Sequence, residues 1–337
     1  MNSSQNGYVK CRERGLGLAL AFFCVFLSSV FGVMSGLAFG SEEIPPGFEV
    51  REFENFREDL IELSGTTALN GPASCKTAYE KIYKREGTLE IRVFLGYLIE
   101  ETDAGLKATD WVIDPYIGWS LKDMLIRPCE GSLAACGFTQ DPENKNSLEK
   151  IVTGPDGKLK RAHVVIEVSA ASASDHRNRF ELRKEQHRLS QAVAHDFLES
   201  LSGAADVVIY NGHARYGSGP GFKPLPPGSL AWADAGLFKP SLHQTLRSLR
   251  QSHDAPALLG YFACHVAEYY EGKIERVAPE TALALATQED HLGSLPRLPT
   301  MTDNASSVLG TLNAVLGMRC EEDFQKSLVL GDVRGLF

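Results

Sequence analysis

Short, nearly continuous apolar runs, each followed by a stretch of helical period, constrain this chain most. Ala162 to Val168 carries Val164, Val165, Ile166 and Val168. Ala205 to Tyr210 and Ala257 to Ala263 are similarly compact, and Thr281 to Thr287 holds an Ala-Leu-Ala-Leu-Ala core that suits either a strand or a helix. Runs of this length with little alternation are what strands covered on both faces require. Between them, Arg179 to Leu201 repeats Leu189, Val193, Phe197 and Leu201 every four residues, with Leu198 widening the stripe and Ser202-Gly203 closing it. Pro240-Ser241 is predicted to open a helix carrying Leu242, Leu246 and Leu249, and Asp303-Asn304 another through Leu316. Strands alternating with helices predict an α/β fold with a parallel sheet built from right-handed crossovers.

The preceding region has a different rhythm. Phe53, Phe56, Leu60 and Leu63 predict one helix, and Ser74 to Lys84 a second. Leu89, Ile91, Val93, Leu95, Tyr97 and Ile99 then alternate as a strand, a turn falls at Thr102 to Gly105, and Leu106 to Ile113 is expected to return beside it. Polar Asp141 to Ser147 suits a linker, and Leu148 to Val152 with the Gly154-Pro155-Asp156-Gly157 turn predicts a hairpin into the next strand. The expected division is therefore a smaller α+β domain over 41–145 and a larger α/β domain over 146–337. The Trp111-Tyr116-Trp119 segment suits a contact surface or a small core.

Residues 1–40 have the marks of a targeting segment. Lys10, Arg12 and Arg14 against Glu13 give it a net charge of +2, and an apolar stretch from Leu16 to Phe39 ends at Ala38-Phe39-Gly40. A cleaved signal peptide is expected, with an uncleaved membrane anchor over 15–39 as the alternative. Either implies an exported chain, periplasmic or secreted. The whole chain carries −9, leaving −11 after residue 40, which disfavours nucleic acid or an anionic membrane surface as partner.

Export changes how the thiols are understood. Five cysteines follow residue 40: Cys75, Cys129, Cys136, Cys264 and Cys320. An oxidising compartment pairs thiols, and an odd one is a candidate reactive group. Cys129 with Cys136 closes a short loop, and Cys75 with Cys320 ties the two ends together. Four cysteines allow three connectivities, so this pairing is an expectation.

Two of the apolar strands end on reactive side chains. One finishes Tyr210-Asn211-Gly212-His213 and the other Tyr261-Phe262-Ala263-Cys264. Sites in open α/β sheets form outside the carboxyl ends of strands, so parallel neighbours would bring these ends to one edge. A thiol needs a base to become the nucleophilic thiolate, and the same imidazole can later protonate a leaving amine. The backbone N–H groups of Cys264 and of Ala214 or a neighbour are candidate donors to a developing oxyanion.

This order of apolar strand, His, about fifty residues, apolar strand, small residue and Cys resembles the caspase–gingipain–legumain group of cysteine peptidases, over roughly residues 160–320. The resemblance implies a caspase-like sheet, Cys264 as nucleophile, His213 as base, and a protein or peptide substrate. Ala214 stands where the group has Gly, with Gly212 before the His, and Phe262-Ala263-Cys264-His265 replaces the Gln-Ala-Cys form of true caspases. Arg215, Tyr216 and His265 are candidates for lining the substrate pocket. The glycines at 217, 219 and 221 fit neither phosphate-binding fingerprint and suit a loop that approaches a substrate backbone closely. Adjacent Cys264 and His265 would point apart on a strand, so no zinc site is expected, and no cofactor either. A non-enzymatic exported binding protein on the same scaffold is the competing expectation.

Overall fold

The computed structural model describes residues 51–63, 65–96, 113–169, 179–214, 219–222, 235–264, 266–288, 301–328 and 331–337. Two helices come first, α1 (Arg51–Glu62) and α2 (Ala73–Ile82), then β1 (Thr88–Leu95) and α3 (Ile113–Ile126). β2 (Thr139–Gln140), β3 (Ser147–Thr153) and β4 (Leu159–Val168) follow, and then α4 (Arg179–Glu199). The chain continues through β5 (Val207–Asn211), α5 (Ala235–Gln251), β6 (Leu258–Cys264), α6 (Gly272–Val277) and β7 (Ala282–Gln288). It ends with α7 (Met301–Leu316), α8 (Glu321–Lys326) and β8 (Gly331–Arg334).

All eight strands form one sheet in the order β2-β3-β4-β1-β5-β6-β7-β8. The five central strands β4, β1, β5, β6 and β7 are parallel, while β3 and β8 run antiparallel on the flanks. The fold is thus α/β, consistent with a caspase-like arrangement. Every residue of β5 is buried, which explains its lack of alternation: both faces are covered. Val207 and Ile209 enter the core shared with α1, α2, α3 and α7, through residues such as Leu60, Tyr79, Leu121 and Leu312. Val208 and Tyr210 enter the opposite core, with Val193 and Phe197 of α4, Leu249 of α5 and Ile274 of α6.

The expected division at residue 145 is not a boundary in this sheet. β1 lies between β4 and β5, hydrogen-bonded to both, and Glu49–Phe337 is one compact unit. Its pattern identified a strand, but period alone does not name a strand's partners. Nor is 141–147 a linker: Asp141 N–H donates to the Ser147 carbonyl at 2.9 Å, closing the β2–β3 hairpin. Ile113 opens helix α3, and the expected return strand over 106–112 lies outside the described residues, as do residues 1–50. α5 begins at Ala235 and runs through Pro240, five residues ahead of the predicted start. Among the described residues no helix is long and apolar enough to cross a membrane.

The expected cysteine pairs are at bonding distance. Cys75 and Cys320 lie 2.09 Å apart at sulfur, and Cys129 and Cys136 lie 2.02 Å apart. Around the first pair, Tyr79 Oη donates to the Arg319 carbonyl at 2.6 Å and the Cys320 N–H to the Thr66 carbonyl at 2.9 Å.

Candidate functional site

The sheet reverses its winding between β1 and β5. α3, which follows β1, packs on one face; α5, which follows β5, packs on the other. The carboxyl ends of these two strands therefore diverge into a crevice, the usual ligand position in an open α/β sheet. Gly96 leaves β1 there and Asn211-Gly212-His213 leaves β5. β6 is the parallel neighbour of β5, in a register that sets Tyr210 opposite Tyr261 and Asn211 opposite Phe262. The Gly212 N–H continues the ladder onto the Phe262 carbonyl at 3.1 Å. Carried two residues on, that register puts position 213 level with position 264. The backbone of Cys264 ends β6, paired with Gln288 of β7.

His213 is partly exposed, whereas Asn211, Gly212 and Ala214 are buried. Arg215, Tyr216 and His265 lie outside the described residues, as does the side chain of Cys264. Cys75 with Cys320 and Cys129 with Cys136 account for four of the five cysteines that follow residue 40.

Beneath the crevice lies an aromatic layer that the strand pattern did not single out. Tyr210 and Tyr261 rings are 5.0 Å apart at their centroids, and Tyr261 stacks on Tyr270 at 4.8 Å. Phe197 of α4 reaches Tyr210 at 5.9 Å and Phe222 at 5.3 Å. Two hydroxyls of the layer rise to hold the segment after β5. Tyr210 Oη donates to the His213 carbonyl at 2.9 Å and accepts the Gly221 N–H at 2.7 Å. Tyr270 Oη donates to the Ala214 carbonyl and accepts the Gly219 N–H at 2.9 Å. The sequence carried a signal for this: Tyr stands three positions before both His213 and Cys264, at the same offset as the register.

Close approach explains the glycines here. A Cβ on Gly212 would meet Tyr210 Oη at 2.4 Å, and one on Gly96 would meet the same oxygen at 2.5 Å. Both carboxyl-end glycines are thus needed for the hydroxyl to reach the His213 carbonyl. Asn211 adds an unusual feature, because neither atom of its fully buried amide has a hydrogen-bond partner among the described residues. Such groups are rare in folded proteins.

Charged groups elsewhere have structural partners. Asp206 is buried, takes the Arg85 Nε–H at 2.8 Å and the Glu90 N–H at 2.9 Å, and has its pKa raised chiefly by burial, with those same contacts opposing. Glu167 on β4 is pushed up to about 7 by burial and then by the neighbouring Asp196 carboxylate. Among the described residues one trio, His195, Asp196 and Glu199 on α4, holds potential ligand atoms within 4.8 Å of one another. His195 is exposed, and its ring contacts both carboxylates at 3.3 and 3.7 Å, as ordinary ion pairs on a helix surface do.

No family model, curated protein or solved structure matches this chain.

Proposed function

We propose that this chain is an exported caspase-like cysteine peptidase in which Cys264 is the nucleophile and His213 its base. The observation that carries the reading is the parallel β5–β6 register, in which positions 213 and 264 stand level at the carboxyl edge, next to the point where the winding reverses. In the proposed reaction, His213 takes the Cys264 thiol proton and the thiolate bonds to the substrate carbonyl carbon. The carbonyl π pair moves onto oxygen as the oxyanion. Its collapse breaks the C–N bond, and the imidazolium gives its proton to the departing amine. Water then attacks the thioester with His213 as base, releasing the carboxylic acid and restoring the thiol.

Export is part of the same reading. The charged and apolar character of residues 1–40 and the two cysteine pairs favour an oxidising compartment, and those pairs make Cys264 the odd cysteine among the five after residue 40. The test is labelling by a thiol-directed acyloxymethyl-ketone probe. The native chain is expected to label and Cys264→Ala to lose the label while keeping its circular dichroism spectrum. Equal labelling of the variant refutes the peptidase and leaves the exported binding protein.

A further inference from the structure

We infer that Tyr210 and Tyr270 are positioning residues that aim the Ala214 N–H at the reacting carbonyl oxygen. This deepens the peptidase reading and rests on it. The argument begins with the peptide that joins His213 to Ala214. Among the described residues no peptide bond is cis, so in this unit the C=O and N–H point in opposite directions. The His213 carbonyl is held by the Tyr210 hydroxyl at 2.9 Å and by the Gly221 N–H at 3.1 Å, both from one side. The Ala214 N–H therefore points away from the tyrosine layer.

The next carbonyl is held the same way. Ala214 C=O accepts from Tyr270 Oη, so both sides of Ala214 are fixed by phenols from the same layer. Those phenols are fully determined in turn. Tyr210 and Tyr270 are buried, at 0% and 1% exposure, and each accepts a glycine N–H from the returning strand of the loop. A rotation of the 213–214 peptide would break the bonds that the Tyr210 hydroxyl and the Gly221 N–H make to the His213 carbonyl, and the Tyr270 bond fixes the peptide that follows.

The N–H so presented has no partner among the described residues. Ala214 is only 2% exposed, and its N–H makes no hydrogen bond among the described residues. Buried backbone donors left unpaired are uncommon, and one fixed at the carboxyl edge, a residue past the position level with 264, is what an oxyanion requires. It also accounts for Ala at this position. With both flanking carbonyls pinned, the peptide does not depend on glycine to reach its orientation.

Two reactions of Cys264 separate this role from a merely structural one. Acylation by p-nitrophenyl acetate forms the S–C bond through a tetrahedral oxyanion and expels p-nitrophenolate with its electron pair. Alkylation by iodoacetamide displaces iodide directly and develops no oxyanion. The full chain is assayed for both, with the rate of Cys264→Ala subtracted. Tyr270→Phe and Tyr210→Phe are each expected to slow acylation about tenfold or more, because small misplacements of a catalytic donor are costly. The ratio of acylation to alkylation is expected to fall by the same factor. Thermal melts identify a variant that fails to fold, and the other then carries the test. Unchanged ratios in the folded variants overturn the inference while the peptidase reading stands. Equal loss of both reactions also overturns it, since that reports a disordered loop. No Cys264-dependent acylation in the native chain overturns both.

Discussion

Replacing Cys75 and Cys320 together by alanine removes a cross-link spanning 245 residues, whereas Cys129→Ala with Cys136→Ala opens one of 7. A cross-link acts mainly on the unfolded chain, by an entropy that grows with the logarithm of the enclosed loop. At 25 °C that relation gives about 5 kcal/mol for the long loop and about 2 kcal/mol for the short one. The native seam around Cys320 does not depend on the bond. Thr66 N–H donates to Asp323 Oδ2 at 2.7 Å, and Ala68 N–H to the Met318 carbonyl at 2.9 Å. Both double variants should therefore keep the native fold, and urea unfolding should separate them by about 3 kcal/mol. The long-loop variant should also show the steeper denaturant dependence, because its unfolded chain expands more. Equal losses, or a larger loss from the short loop, would refute the reasoning.

Three further outcomes are expected. Glu167 is raised to about 7 by burial and the Asp196 carboxylate, against the pull of Arg92. A carboxyl whose folded pKa exceeds its unfolded value binds more protons when folded, so stability falls as pH rises from about 4.5 to about 7. The drop is on the order of 1–2 kcal/mol once solvent screening is allowed for, and Glu167→Gln should flatten it; an unchanged slope across pH-dependent melts counts against this. A Cβ on Gly310 would stand 1.6 Å from the Ser327 carbonyl oxygen, so Gly310→Ala should force α7 and the turn after α8 apart and cost about 3 kcal/mol in chemical denaturation. A loss within error would mean the backbones part freely. His213→Ala should slow iodoacetamide alkylation of Cys264 about tenfold at neutral pH and move its profile toward that of an ordinary thiol; an unmoved profile removes His213 as base.

The centre of the sheet was legible because its strands are buried on both faces. Val207 to Tyr210 and Leu258 to Ala263 could hardly be anything else, and their spacing fits one crossover through α5. The pairing of Cys75 with Cys320 was legible only as one of three connectivities, since nothing local brings residues so far apart together. β1 was found but misassigned to a separate domain, because alternation in Leu89, Ile91 and Val93 says which face each residue takes and nothing about neighbours. The tyrosine layer escaped for a different reason. A Tyr in an apolar strand reads as packing, and only the three-dimensional loop reveals that its hydroxyl holds a carbonyl.

The place of β1 also bears on how the molecule is made. Residues 88–95 leave the ribosome long before either neighbour exists, and β5 cannot pair until residue 211 has followed. The strand has two open edges until β4 follows and one until β5 does, which is a template for association with other chains. Sheets assembled from such distant pieces form slowly. The middle of this sheet thus closes only after residue 211, and shielding β1 until then is a demand that its place in the sheet puts on the nascent chain.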